Sequence, residues 1–317
     1  MPIDVLGTTR VVVDAARDVR LDQAALLALA VRLAASSLRR PAWRTWPHWW
    51  DASPAAASYV LVLDALNFSF WGEPRWRVSY QGVTHDGYWG LALALRRALD
   101  AGWPLLDARR LATISEHELA HILRGEGEPP LLRERVACLR EVGATLVAEF
   151  DGSFARAVEQ CQRGALRLVE LVARHFRSFR DVAEYDGRPV QLYKRAQILV
   201  SDLFGAYDGG GLGAFDDLGA LTAFADYKLP QALRAEGVLV YSPALADQVD
   251  RRREIAAGHP WEVEIRAATI WAVELLRRRL AERGRALHAF ELDWLLWSAA
   301  QGAPLAQPYH RTRTIFY

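Results

Sequence analysis

Pro130-Leu-Leu-Arg-Glu-Arg135-Val-Ala-Cys138-Leu-Arg-Glu-Val142-Gly-Ala-Thr-Leu146-Val-Ala-Glu-Phe150 repeats leucine and valine at three- and four-residue spacing. Only an α-helix lines up that spacing on one face, so this stretch predicts an amphipathic helix. The same period runs outward in both directions. Phe154 to Phe179 carries it with arginines on the opposite face, Asp22 to Ser36 is rich in alanine and leucine, and Val190 to Tyr207, Leu221 to Glu236, Trp261 to Arg283 and His288 to Ala300 continue it. The exception is Ser58 to Tyr88. Tyr59-Val-Leu-Val-Leu63 is apolar and β-branched, and Trp76 to Tyr80, Gln81-Gly82 and Val83 to Gly87 read as strand, tight turn and strand. The expected fold is mainly α, with a small β-sheet or hairpin insertion near residues 58–88. Gly209 to Gly213 is a loop between two helices, and no Pro/Gly/Ser linker divides the chain. Residues 1–317 are therefore expected to form one compact unit with two helical lobes.

Composition narrows the function. The 317 residues are 51% hydrophobic and 24% charged, as in globular chains. No apolar run is long enough to span a bilayer and no secretory leader is evident, so a cytoplasmic protein with no membrane partner is expected. Cys138 and Cys161 give neither a disulfide framework nor a metal pair. The formal charge is +1, whereas a surface built for long nucleic acid needs a basic face; a small anionic ligand needs only a local cluster of cations. Lys194 and Lys228 are the only lysines among 39 Lys+Arg, and Asn67 is the only asparagine. Where arginine has replaced lysine almost everywhere, the surviving lysines mark positions that a guanidinium does not serve.

His117-Glu118-Leu-Ala-His121 matches a zinc-binding HExxH helix. Ser115 and Glu118, however, stand at the spacing of a capping box, which occupies the glutamate structurally. No further ligand follows at zincin spacing, and no metal or other cofactor is expected.

The two lysines lie in richer surroundings. Lys194, Ile198 and Asp202 follow one another at four-residue steps, placing a cation and a carboxylate on one helix face. Leu221-Thr-Ala-Phe224-Ala-Asp226-Tyr227-Lys228 brackets an aspartate with apolar residues, where desolvation raises its pKa and an ammonium lowers it. The plain structural alternatives are a helix cap for Asp226 and a snorkelling cation for Lys228. Asn67 and Phe68 sit in an aromatic run that offers a flat heterocycle a stacking surface, and His48 is the polar member of a second aromatic cluster. Asp293 and Trp297 share a helix face, and a carboxylate there matches the N–H and exocyclic amine of a guanine-like base edge. His310, Arg311 and Arg313 form a cationic tail that is either solvated or a phosphate clamp.

Four blocks carry a family resemblance: LNFSFW (Leu66 to Trp71), YKRAQILVSDLFG (Tyr193 to Gly205), LTAFADYKLPQ (Leu221 to Gln231) and PYHRTRTIFY (Pro308 to Tyr317). In order and wording they resemble the queuosine salvage family of queuosine 5′-phosphate N-glycosylases/hydrolases. The resemblance implies hydrolysis of the glycosidic bond of queuosine 5′-monophosphate, with release of queuine for reuse in transfer RNA. It also implies a fold similar to the helix-hairpin-helix DNA glycosylases, in which Lys194 resembles the helix lysine and Asp226 the aspartate that follows the hairpin. The interval between those two residues is longer here, and the glycine-rich hairpin of the repair enzymes is missing.

On this basis Asp226 is expected to stabilise an oxocarbenium-like state and to orient or deprotonate water, or to attack directly, with Lys194 setting its pKa or holding it. His48, Phe224, Asp293 and Trp297, with Asn67, Phe68 and Tyr227 nearby, are expected to hold the base. Lys228, His310, Arg311 and Arg313 are the candidates for the 5′-phosphate. The rival expectations are a DNA or RNA base-excision glycosylase of related fold and a non-catalytic protein that binds a purine-like base.

Overall fold

The computed structural model of the protein describes residues 2–37, 39–301 and 306–317. Helices dominate. Asp4 accepts the Gly7 N–H at 2.8 Å and starts α1 (Val5–Ala15), and Asp22 likewise caps α2 (Gln23–Ala35). Between them lies β1 (Val19–Leu21).

The first departure from expectation is α3 (Pro54–Ala65), which contains the Tyr59 to Leu63 run expected as a strand. Ser53 caps its start, and Pro54 fits the first turn. Tyr59 to Ala65 are all buried, so the helix is apolar on every side and shows no 3.6-residue period. An aperiodic apolar run cannot be told from a buried strand by pattern alone. The expected hairpin does form: β2 (Arg77–Tyr80) pairs antiparallel with β3 (Val83–Asp86), and Gln81 and Gly82 turn with φ of 47° and 81°. It runs directly into α4 (Gly87–Asp100).

After α5 (Ala108–Ala112) comes α6 (Glu116–Ile122), where the capping box is present. Glu118 N–H donates to Ser115 Oγ at 3.1 Å, and Ser115 N–H donates to Glu118 Oε2 at 2.8 Å. Glu118 also pairs with Arg110, and the His121 ring lies 5.5 Å from Trp103. Among the described residues no group of three or more His, Cys, Asp or Glu is placed to hold a metal ion.

The quoted stretch forms α7 (Leu132–Glu149). Its Gly143 lets α5 approach so closely that a Cβ there would stand 2.2 Å from the Ala112 nitrogen. The stretch expected as one helix over Phe154 to Phe179 is instead α8 (Phe154–Gln160) and α9 (Ala165–His175), because Gln162 and Arg163 adopt left-handed φ of 45° and 64° and end the first helix. An unexpected second hairpin follows, β4 (Val182–Tyr185) and β5 (Arg188–Gln191), turning through Asp186-Gly187. It takes Val190 and Gln191 out of the expected helix, so α10 spans Lys194–Ala206. Likewise α11 is only Lys228–Ala235, and residues 221–227 have no helical structure. The chain continues through β6 (Leu239–Tyr241), paired with β1, then α12 (Pro243–Asp250), α13 (Pro260–Ala281) and α14 (Ala289–Gln301). Among the described residues no helix is long and apolar enough to cross a membrane.

The buried apolar side chains form two main clusters. One is built on α3, α4, α7, α9 and α10, the other on α2, α11, α13 and α14. Three segments belong to both, α14 through Phe290 in the first and Leu292 in the second. Phe224 and Ala225 join the first cluster while Ala223 joins the second, and α13 gives Val263 and Ala267 to one and Ile265 and Ala268 to the other. The Asp226 loop and the middle of α13 thus run along the seam.

Candidate active site

At this seam opens a cavity of about 900 Å³, lined from widely separated parts of the chain. That is the size of a small-molecule site. Lys194, Ile198 and Asp202 all line it, as their four-residue spacing on α10 requires.

α10 starts without help from its own cap residue, since Tyr193 sits in the left-handed region at φ 47° and makes no side-chain cap. The Asp181 carboxylate serves instead, accepting the Lys194 N–H at 3.2 Å. The buried Lys194 Nζ donates to the Asn67 carbonyl oxygen at 3.4 Å. Burial lowers its pKa, and the negative charges of Asp226 and Asp64 oppose that shift.

Asp226 divides its work between two oxygens. Oδ1 accepts the N–H groups of Lys228 and Leu229, each at 2.8 Å, which fixes the first turn of α11. Oδ2 makes no hydrogen bond to a described residue, and Asp226 lines the cavity. The capping role therefore leaves one oxygen of the same side chain without a described partner. Burial raises the pKa of Asp226, against the pull of Lys194 and the two backbone N–H groups.

One end of the cavity is aromatic. His48 stacks on Trp43 at 4.3 Å and on Trp89 at 5.3 Å. Its Nδ1 is 2.6 Å from the Trp43 carbonyl oxygen, which can only accept, so Nδ1 carries the proton and Nε2 accepts from the Tyr88 hydroxyl at 2.8 Å. Burial pushes His48 down to about 4, so it is neutral at pH 7. Trp297 stands edge-on to Tyr88 at 5.9 Å. Asp293 Oδ2 accepts the Phe224 N–H at 2.7 Å, and burial raises its pKa well above the ordinary aspartate value. Phe68 lines the wall but is 1% exposed, its ring engaged by Arg135 at 4.4 Å and Arg195 at 5.0 Å. The Asn67 amide donates to Asp64 Oδ1 at 3.3 Å.

The other end is cationic. Lys228 lies over Tyr309 at 5.1 Å, with Tyr227 beside the same ring at 4.8 Å. Arg252 also lines this end, and neither it nor Lys228 is ion-paired to a described residue. Arg75 is held by Asp86 at 3.0 Å and Arg311 by Glu73 at 3.4 Å.

Every site residue expected from the sequence lines the cavity except His310 and Arg313. His310 is buried beside Tyr317, its Nε2 3.2 Å from that hydroxyl, and burial with the nearby Arg266 charge holds it down at about 3. A neutral imidazole in that position carries no charge for a phosphate. Arg313 is paired with Glu254 at 3.1 Å and stacked over Trp71 at 4.7 Å. The tail is not a solvated extension either: Ser69 N–H donates to the Tyr317 carbonyl at 2.8 Å, and Ile255 N–H to that of Arg311 at 2.8 Å.

Several lining residues escaped the sequence reading, among them Tyr88, Trp89, Arg75 and Arg252. Asp202 had a visible signal, two turns beyond Lys194 on the same stripe. Burial pushes its pKa to about 7, with Lys194 opposing.

The profile of the family described as queuosine salvage protein matches residues 47–317. A Sphaerobacter thermophilus protein named queuosine 5′-phosphate N-glycosylase/hydrolase is 57% identical over 316 residues, covering 99% of this chain and 98% of that protein. A Mus musculus protein of the same name is 38% identical over 340 residues, with 100% and 99% coverage, and one from Dictyostelium discoideum is 42% identical over 262 residues, with 82% and 78%. With a profile match over most of its length and relatives that align end to end, the chain belongs to the queuosine salvage protein family.

Proposed function

We propose that the protein hydrolyses the N-glycosidic bond of queuosine 5′-monophosphate and releases queuine, the activity named for its relatives. The observation that carries the proposal is the Asp226 carboxylate in the cavity wall, pinned through one oxygen by two backbone N–H groups while the other accepts from no described residue. As the base departs, positive charge grows on the sugar at C1′, and a fixed carboxylate beside it stabilises that charge without reorganising. The same oxygen takes a proton from the incoming water as the C1′–N bond breaks and a C1′–O bond forms; the base nitrogen takes up a proton from solvent, and Asp226 returns its own to solvent. Lys194 keeps Asp226 ionised and in place.

The base lies against the aromatic end, where Asp293 and the Phe224 backbone meet its hydrogen-bonding edge and Trp297 and the His48 cluster shape the wall. The 5′-phosphate lies toward Lys228, Arg252 and Arg311. The site takes one nucleotide and not a polymer, which fits a net charge of +1.

Incubation with queuosine 5′-monophosphate, followed by mass spectrometry, should show free queuine and ribose 5-phosphate in equal amounts, and none with D226N. Base release from DNA or RNA oligomers instead, or tight binding of queuine without turnover, would replace this function with a repair-type glycosylase or a carrier.

A further inference from the structure

The geometry points to Arg266, on α13, as a positioning residue that holds Lys194 and Asp226 in fixed relation to one another. This inference rests on the roles proposed for those two residues.

Arg266 is 2% exposed and lies on the seam between the two hydrophobic clusters. Its guanidinium reaches out in three directions. Two nitrogens fork onto Asp181, at 3.0 Å to Oδ1 and 2.5 Å to Oδ2. Nε donates to the carbonyl oxygen of Ala225 at 3.0 Å, and one terminal nitrogen also reaches Glu262 at 3.3 Å. The group lies 4.3 Å from the centre of the Tyr317 ring, which is part of the cavity wall.

Each of the first two contacts ends one step from a reacting group. Asp181 Oδ2 accepts the Lys194 N–H, and the Asp181 carbonyl accepts the N–H groups of Leu192 and Tyr193, so Asp181 sets where α10 begins and where Lys194 leaves it. Ala225 immediately precedes Asp226. One rigid planar group therefore ties the start of α10 to the loop before α11, two segments that among the described residues are otherwise joined by the Thr222 to Gln197 hydrogen bonds further along α10. Lysine cannot substitute, because an ammonium offers no planar fork with a third donor beside it. A buried ion pair is seldom retained for stability, since desolvation offsets most of the attraction, and fixing geometry is the better reason for this one.

Asp226 faces Lys194 from α10, Lys228 on its own helix and Asp293 from α14. If the clamp fails and Lys194 moves away, Asp226 loses its largest opposing charge and binds its proton more tightly. The test is a comparison of R266K and D181N with the wild type, using queuosine 5′-monophosphate. Each should lower kcat about 10²-fold, the effect of a misplacement on the order of 1 Å, with KM little changed. In each the acid limb of kcat/KM should move to higher pH. A core variant away from the site, L146A, supplies a protein of lowered melting temperature for comparison and should keep the wild-type limb.

A folded R266K or D181N with near-normal kcat and an unmoved limb overturns the inference. So does a loss of activity that only tracks the unfolded fraction, as in L146A. D181N keeps the question open to refutation should R266K fail to fold. D226N separates the two levels: if it remains active, the proposed chemistry fails; if it is inactive while R266K and D181N behave as wild type, only the role of Arg266 fails.

Discussion

The Lys194 ammonium donates to the Asn67 carbonyl oxygen at 3.4 Å, across 127 positions of the chain. A lysine and an asparagine that stand out by rarity in the sequence thus meet in the wall of one cavity. The contact is to the asparagine backbone, and the charge is compact and buried, a setting that suits an ammonium better than a broad guanidinium.

Removing that charge has a defined sign. On the proposed chemistry Asp226 acts ionised, so activity should fall as pH drops through its pKa. Burial already places that pKa above the ordinary aspartate value, and Lys194 restrains it. In K194M the acid limb of kcat/KM should shift to higher pH, and kcat should fall about 10²-fold. A pH–rate profile checks both.

Asp226 should separate chemistry from capping. The amide oxygen of D226N still accepts the Lys228 and Leu229 N–H groups, so its urea midpoint should stay near that of the wild type while turnover falls about 10³-fold or more. D226A loses the acceptor as well and should be less stable by about 1 kcal/mol. Urea denaturation and turnover measured on the same preparations give the comparison.

Asp202 should make stability depend on pH. Its pKa rises from 3.8 to about 7, chiefly by burial. A carboxyl with a raised native pKa contributes fully below its unfolded pKa, and the contribution is lost as pH climbs toward 7. D202N does not ionise, so relative to the wild type it should gain stability between about pH 4 and 7 and level off above, by at most about 4 kcal/mol. Urea midpoints at pH 5 and pH 8 should diverge accordingly.

The phosphate end can be located by comparing nucleotide with nucleoside. K228Q and R252Q should each raise KM for queuosine 5′-monophosphate by about 10-fold or more, the loss expected of a charge-assisted hydrogen bond, and change nucleoside cleavage little. R313Q should leave the nucleotide preference intact, because that arginine is paired with Glu254 outside the cavity.

The helices were legible where one face is apolar and the other polar, as in α7. Legibility failed at α3, whose burial on all sides erases the period, and between α8 and α9, where two left-handed residues interrupt a periodic pattern. The Asp186-Gly187 turn was a readable hairpin signal that the surrounding helical pattern masked. Within the site, Lys194, Asp226 and Asp293 were identifiable because a charged residue in an apolar bracket is conspicuous. Tyr88 and Trp89 were not, because nothing in the sequence says that the start of α4 lies beside His48. The tail misled for a related reason: His310, Arg311 and Arg313 are near neighbours in sequence, but only Arg311 lines the cavity.

The aromatic wall has an optical consequence. Trp43, Trp71, Trp89, Trp294 and Trp297 all line the cavity, out of 12 tryptophans in the chain. A heterocycle stacked among those indoles changes their emission directly, so the protein carries a fluorophore for its own occupancy. Titration of the inactive D226N with queuosine 5′-monophosphate can then be followed in the cuvette with no label, separating affinity from turnover on a single sample.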